Sequence, residues 1–167
     1  MNGNTQILHN VFVYGSLLAD EVARVLLKRD PDSYPAILDG YHRFSIKGRV
    51  YPAILPVENK KVVGRVLVGV TDPELHTLDV FEDVEYVRNS VEVQREGNLE
   101  KLQAYTYLWA DKNDPNLYGD WDFEEWKRVD MEDFIKMTNE FMEERAQLES
   151  KTRVETYQSY YRQEEAI

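Results

Sequence analysis

Val11-Phe12-Val13-Tyr14-Gly15-Ser16-Leu17-Leu18 is a continuous β-prone run that breaks at a glycine. A run without polar alternation is the pattern of a strand covered on both faces. Gly15-Ser16 makes the turn that ends it. A turn of this kind, next to the start of a helix, leaves backbone N–H groups free to hold a carboxylate or an oxyanion. Most strand–Gly–Ser–helix turns only redirect the chain, so both readings stand at this point.

Working outward, Asp20 to Lys28 has acids first, a base last and apolar residues at helical spacing, and it predicts a short helix stopped by Asp30-Pro31. Ser33 to Ile46 suits a strand with Gly40 as a break or bulge. Tyr51 to Pro56 is a short extended piece between two prolines, expected as an edge strand or a pocket-lining loop. Asn59-Lys60 is expected to turn the chain into a buried strand over Val62 to Val70. Thr71-Asp72-Pro73-Glu74 carries the capping residue, the first-turn proline and the acid three places on that begin a helix, expected to run to about Asp83. Tyr86 to Gln94 and Leu99 to Trp109 alternate around Glu96-Gly97-Asn98, an antiparallel hairpin.

After Asp111 the composition shifts. Phe123, Trp126, Val129, Phe134, Met137, Phe141 and Leu148 fall on a roughly helical stripe, read as a packing face. Thr152 to Ile167 is readable either as helix or as a loose tail.

The charge balance narrows the function classes. Twenty basic against 31 acidic side chains give a formal net charge of −11, and no Lys/Arg cluster forms the basic stripe that nucleic-acid binding requires. Residues 121–167 hold 13 acids and 7 bases, a net −6, so over half of the excess lies there as a solvated acidic face. There is no cysteine, which excludes disulfides, thiolate catalysis and Cys-ligated zinc, and which suits a reducing compartment. No secretory signal or membrane span is apparent, so a soluble, cytoplasmic protein is expected. With 167 residues, folding buries roughly 70% of the surface of the unfolded chain, enough for a core and an enclosed pocket.

Advancing about 100° per residue along the helix after Thr71 puts Leu75, Leu78 and Phe81 on one side, with Glu82 between Leu75 and Leu78. Asp79 and Asp83 fall on the flank and His76 further out. A glutamate in an apolar stripe is costly to leave ionised and unpaired. It is therefore either paired, with Arg88 or Arg49 as candidates, or it is a carboxyl whose raised pKa suits proton transfer near neutral pH. Glu85, beyond the helix, is the nearest rival. Ser16 as a nucleophile lacks both the Gly-x-Ser-x-Gly elbow and a recognisable histidine base. His9, His42 and His76 have no metal-ligand spacing, and no Gly-x-Gly-x-x-Gly or Walker loop is present, so neither metal nor cofactor is expected. Tyr105 and Tyr107 are read as core, with one hydroxyl able to reach a pocket.

Four of these segments carry a resemblance. Phe12-Val13-Tyr14-Gly15-Ser16-Leu17, Tyr51-Pro52-Ala53-Ile54, Leu78-Asp79-Val80-Phe81-Glu82-Asp83 with Tyr86 and Arg88, and Ala104-Tyr105-Thr106-Tyr107 resemble the γ-glutamylcyclotransferase-like family, and more narrowly its plant avirulence-induced-gene-two-like proteins. The resemblance spans about residues 10–110. It implies an α+β fold, a small, mostly antiparallel β-barrel flanked by helices with a pocket at one mouth. It further implies that Glu82 is the catalytic acid/base and that the loop Tyr14, Gly15, Ser16, Leu17, Leu18 and Ala19 binds the substrate through its backbone. The expected organisation is a disordered N-terminus over 1–9, the barrel domain over 10–120 and a C-terminal helical extension packed on it over 121–167. The expected partner is a small γ-glutamyl amide, cyclised to 5-oxoproline with release of an amine, without nucleic acid or membrane. The alternative is a catalytically silent small-ligand or protein-binding module on the same fold. Which γ-glutamyl compound is used is not legible.

Overall fold

Phe12 and Val13 show why the first strand is apolar throughout. In the computed structural model, which describes residues 6–146 and 153–165, β1 (His9–Val13) lies between two cores. Phe12, with Tyr14 just after the strand, belongs to a cluster inside a barrel with Ala36, Leu38, Ile54, Val62, Val66 and Val93. Val11 and Val13 point the other way, into the cluster shared with the helices. The two-residue period of a strand thus serves two hydrophobic layers.

The helix α1 (Asp20–Leu27) ends on Lys28 in the left-handed conformation, φ 59°. It leads to β2 (Asp32–Ile46), paired antiparallel over its length with β3 (Ala53–Val70). The expected turn at Asn59-Lys60 is absent. β3 runs straight through it, and the pairing register slips between Asp39 and Tyr41, where residues 57–60 lie opposite Gly40 alone. Gly40 has φ 81° and Asn59 φ 67°, so both chains bend at one wide bulge. Ala53 to Pro56 pair with β2 alone, Ala53 with Phe44, while β1 pairs β3 only from Arg65 onward, so the segment is an edge in its pairing although Ala53 and Ile54 are fully buried. Pro56 is accommodated at the bulge, where the ladder is interrupted.

Thr71 caps α2 (Asp72–Glu82) with the reciprocal bonds foreseen from the sequence: its hydroxyl accepts from the Glu74 N–H, and the Glu74 carboxylate accepts from the Thr71 N–H. Thr71→Ala is expected to lower stability by about 1 kcal/mol, measured by urea unfolding. A short 3-10 turn (Asp83–Glu85) leads into β4 (Tyr86–Arg95) and β5 (Lys101–Trp109), the predicted hairpin, with β5 starting two residues later than expected. Strand order β3-β1-β5-β4-β2, with β2 back on β3, closes a five-stranded barrel. All its pairs are antiparallel except β1 with β5. The two-residue β6 (Leu117–Tyr118) adds to β2 outside the barrel.

α3 (Phe123–Val129), α4 (Met131–Ala146) and α5 (Arg153–Glu165) follow. Trp126, Phe134, Met137, Phe141 and Tyr157 are buried in the same cluster as Leu78 and Phe81 of α2. Val129 leaves the stripe and is 58% exposed, and Leu148 lies outside the described residues. Of the N-terminal segment expected to be disordered, residues 1–5 also lie outside them, and β1 already begins at His9. No described helix is long and apolar enough to cross a membrane.

Candidate functional site

The loop after β1, the end of α2 and the start of α5 meet around one small cavity of about 40 Å³. Tyr14, Gly15, Ser16 and Leu17 form one wall, Tyr51-Pro52 another, and Phe81, Glu82 and Arg153 a third. Tyr86, Tyr107 and Phe134 complete the lining. Leu18 and Ala19, expected in the binding loop, do not reach it. Their N–H groups donate to Gly15 and Ser16 carbonyls (2.9 and 3.0 Å) and close the 3-10 turn, and Ala19 caps α1. The N–H groups of Gly15, Ser16 and Leu17 have no acceptor among the described residues.

The need for glycine at position 15 is one of space. A Cβ there would stand 2.9 Å from Cγ and Cδ of Pro52, closer than packed atoms tolerate. The loop and the Tyr51-Pro52 wall therefore fix each other. Tyr14 anchors the loop from inside: its hydroxyl donates to the Tyr107 carbonyl (2.6 Å), and its own carbonyl accepts from Arg43 Nη1 (2.9 Å). Tyr86 donates to the Pro52 carbonyl (2.7 Å) and pins the opposite wall. Burial is the main cause that keeps Tyr14, Tyr86 and Tyr107 protonated, with the nearby acidic side chains adding to it.

Three carboxylates cluster here with different surroundings. Asp79 accepts from the Tyr107 hydroxyl (2.7 Å) and from Arg88 Nη1 (2.8 Å). Glu85 accepts from the Tyr51 hydroxyl (2.5 Å), Arg153 Nη2 (2.8 Å) and Arg49 Nε (3.2 Å). Glu82 has no hydrogen bond or ion pair to its carboxyl among the described residues. The arginines considered as its partners from the sequence are engaged elsewhere, Arg88 by Asp79 and Arg49 by Glu85. Glu82 retains some accessible surface, yet its carboxyl is enclosed by neighbouring atoms. That burial pushes its pKa up to about 7, Arg153 opposes the rise, and Glu85 and Asp79 add to it. A carboxyl so placed takes and returns a proton near neutral pH.

Ser16 is buried, and no histidine hydrogen-bonds to it among the described residues: His9 bonds Asp72 and His42 bonds Asp120, while His76 is exposed. No described cluster of three His, Asp or Glu side chains has the arrangement of metal ligands.

Some cavity residues lay outside the expected binding loop and catalytic glutamate. Tyr51-Pro52 had a signal, a proline-flanked segment readable as pocket lining, and Tyr107 had one as a pocket tyrosine. Its hydroxyl goes to Asp79. Arg153 had none, since nothing local distinguishes it from the other bases of the acidic C-terminal region. In the fold its guanidinium is buried, 2% exposed for the residue, and donates to the Phe81 and Glu82 carbonyls, the Tyr51 hydroxyl and Glu85.

The family described as Gamma-glutamyl cyclotransferase, AIG2-like matches residues 11–127. AIG2-like protein D of Arabidopsis thaliana is 60% identical over 141 residues, covering 84% of this chain and 93% of that protein. A solution structure of another Arabidopsis thaliana protein superposes with a TM-score of 0.66 at 44% identity, over 91% of this chain and 99% of the other. A solved γ-glutamyl cyclotransferase shares the fold at 21% identity, with a TM-score of 0.53 over 63% of this chain and 68% of its own.

Proposed function

This chain belongs to the γ-glutamyl cyclotransferase, AIG2-like family, and we propose that it is a γ-glutamylcyclotransferase acting on a small γ-glutamyl amide, with Glu82 as its general acid and base. The observation that supports this most is the Glu82 carboxyl, raised to about 7 and without a partner among the described residues, lining the same cavity as a loop with three N–H groups that have no acceptor among those residues. A relative from Methanocaldococcus jannaschii named as a γ-glutamylcyclotransferase and putative RNase, 29% identical over 110 residues that cover 65% of this chain and 49% of that protein, is consistent with it.

The reaction is intramolecular. The substrate's α-ammonium gives up one proton to solvent to become the free amine, whose nitrogen attacks the γ-carbonyl carbon and closes the five-membered ring while Glu82 takes a second proton from that nitrogen. The carbonyl oxygen takes up the negative charge within reach of the Gly15–Leu17 N–H groups. Glu82 returns the proton to the departing nitrogen, the old C–N bond breaks, and 5-oxoproline and a free amine leave. No enzyme nucleophile is consumed, in keeping with the absent cysteine and the unassisted Ser16.

Magnitudes show that so few groups suffice. Well-oriented intramolecular attack is worth an effective molarity of ~10⁵ M or more. A general acid–base adds about 10²–10⁴ and an oxyanion donor about 10²–10³. The lack of cysteine fits a reducing, cytoplasmic setting.

Incubation with γ-glutamyl amides that differ only in the leaving amine tests the reading. 5-Oxoproline is expected with at least one of them, and its absence with all would favour a silent binding module. For the active substrate kcat/KM is expected to rise with pH through a limb near 7, because the base works as the carboxylate and burial delays its ionisation. A limb near the ordinary carboxyl value of 4.5 would contradict the assignment.

A further inference from the structure

We propose that Arg153, carried to the cavity by the C-terminal helix, is a positioning residue for Glu82, so that α5 is part of the working site rather than an outer support. This rests on the reading of Glu82 as the proton-transfer group.

The geometry carries the assignment. Nε and Nη2 of Arg153 donate to the carbonyls of Phe81 and Glu82. These carbonyls belong to the last turn of α2, where the helix leaves its final carbonyls without intrahelical partners. The guanidinium therefore takes up both and holds the residue that bears the candidate carboxyl. Its remaining bonds reach the Tyr51 hydroxyl (2.9 Å), on the Tyr51-Pro52 wall, and Glu85 Oε1 (2.8 Å), in the 3-10 turn that follows α2. One planar fork thus ties the end of α2, the Tyr51-Pro52 wall and the 3-10 turn together, a use to which a rigid multi-donor cation is suited.

The entry of α5 is fixed independently. The Val154 N–H donates to Asp83 Oδ2 (3.1 Å), and the Tyr157 hydroxyl accepts from the Val50 N–H (3.3 Å). Asp83 itself has φ 60°, ψ −155°. A non-glycine residue holds such a backbone only where its surroundings impose it, and the Asp83 carboxylate is the group that receives the first turn of α5.

The groups facing Glu82 set the sign of the electrostatic consequence. Asp79 and Glu85 are acidic, Tyr14, Tyr86 and Tyr107 are kept neutral by burial, and among the described residues Arg153 is the one cation acting on Glu82. Loss of Arg153 with α5 still docked raises the Glu82 pKa. Loss of α5 from the cavity lets water in and lowers it toward 4.5. The two consequences have opposite signs, so a positioning role and a merely structural one are separable.

The test uses Arg153→Gln and Arg153→Lys in the full chain, with two readings: the pH profile of 5-oxoproline release, and the titration of the Glu82 carboxyl by carbon-13 NMR with Glu82→Gln for assignment. For Arg153→Gln the midpoint is expected to move up by roughly one pH unit, and kcat to fall about tenfold or more with KM within about threefold. Arg153→Lys keeps the charge but one nitrogen cannot span four acceptors. Its midpoint is expected to stay near the wild-type value while kcat still falls. A midpoint unchanged or lowered in Arg153→Gln, or a wild-type kcat in Arg153→Lys, would overturn the proposal. The NMR titration does not require turnover. A wild-type chain that forms no 5-oxoproline would refute the proposed function, while the shift in Arg153→Gln would still judge the placement.

Discussion

Glu82→Gln is expected to abolish 5-oxoproline formation and, above neutral pH, to make the protein more stable. The amide keeps the shape of the side chain but neither accepts nor returns a proton, so the loss should reach the ~10²–10⁴ that acid–base catalysis contributes. The stability change follows from linkage. The folded state raises the Glu82 pKa from 4.5 to about 7, so it binds that proton more tightly than the unfolded chain does. Stability from this group is therefore full below about 4.5 and falls as pH rises toward 7, by up to roughly 3 kcal/mol. Glutamine has no charge to bury, and the variant should gain on the wild type between pH 5 and 8 in urea unfolding. Equal stability of the two proteins at pH 8 would mean that the carboxyl is well solvated, and near-wild-type turnover would remove it from the chemistry.

The largest structural effect is expected at Gly64. β3 passes β1 so closely there that a Cβ would lie 2.2 Å from the Val13 carbonyl oxygen and 2.8 Å from Phe12 Cζ. A carbonyl oxygen in a barrel strand cannot swing aside as the end of a long side chain would. Gly64→Ala should therefore lower stability by about 3 kcal/mol or more. Because Val13 leads directly into Tyr14 and Gly15, the displaced strand should also carry the binding loop away from Glu82 and reduce kcat/KM in whatever fraction still folds. Urea unfolding checks the first part, and a change under about 0.5 kcal/mol, the usual range for surface substitutions, would show that the strands separate easily.

How much of this was legible in the sequence depends on the range of the interaction. Local chemistry was readable: the capping box at Thr71, the hairpin around Gly97 and the strand before Gly15 all appear, the strand beginning at His9 rather than Val11. Helical periodicity placed Glu82 beside Leu75, Leu78 and Phe81, all three of which are buried. What failed depended on partners far along the chain. Asn59-Lys60 reads as a turn on its own, yet pairing of both halves of β3 with β2 turns it into a bulge inside one strand. The closing contact of β1 with β5 joins Val11 to Tyr105, which no local pattern announces. Arg88 and Arg49 are near enough in sequence to suggest themselves for Glu82, but Asp79 and Glu85 take them. Arg153 meets Phe81 only because α5 returns to the barrel after some seventy residues. Gly64 gave no signal either, since its requirement arises from the crossing of two strands.

The electrostatics of the cavity follow the same logic. Asp79 and Glu85 each receive two or more donors, and in doing so they take the hydroxyls and cations that would otherwise neutralise Glu82. A poised carboxyl is obtained by satisfying its neighbours.

The most direct measurement is a carbon-13 NMR titration of the Glu82 carboxyl in the wild-type protein. A midpoint near 7 is predicted. A midpoint near 4.5 would contradict the account, for a carboxylate of that pKa is too weak a base to take a proton from an amine near neutral pH.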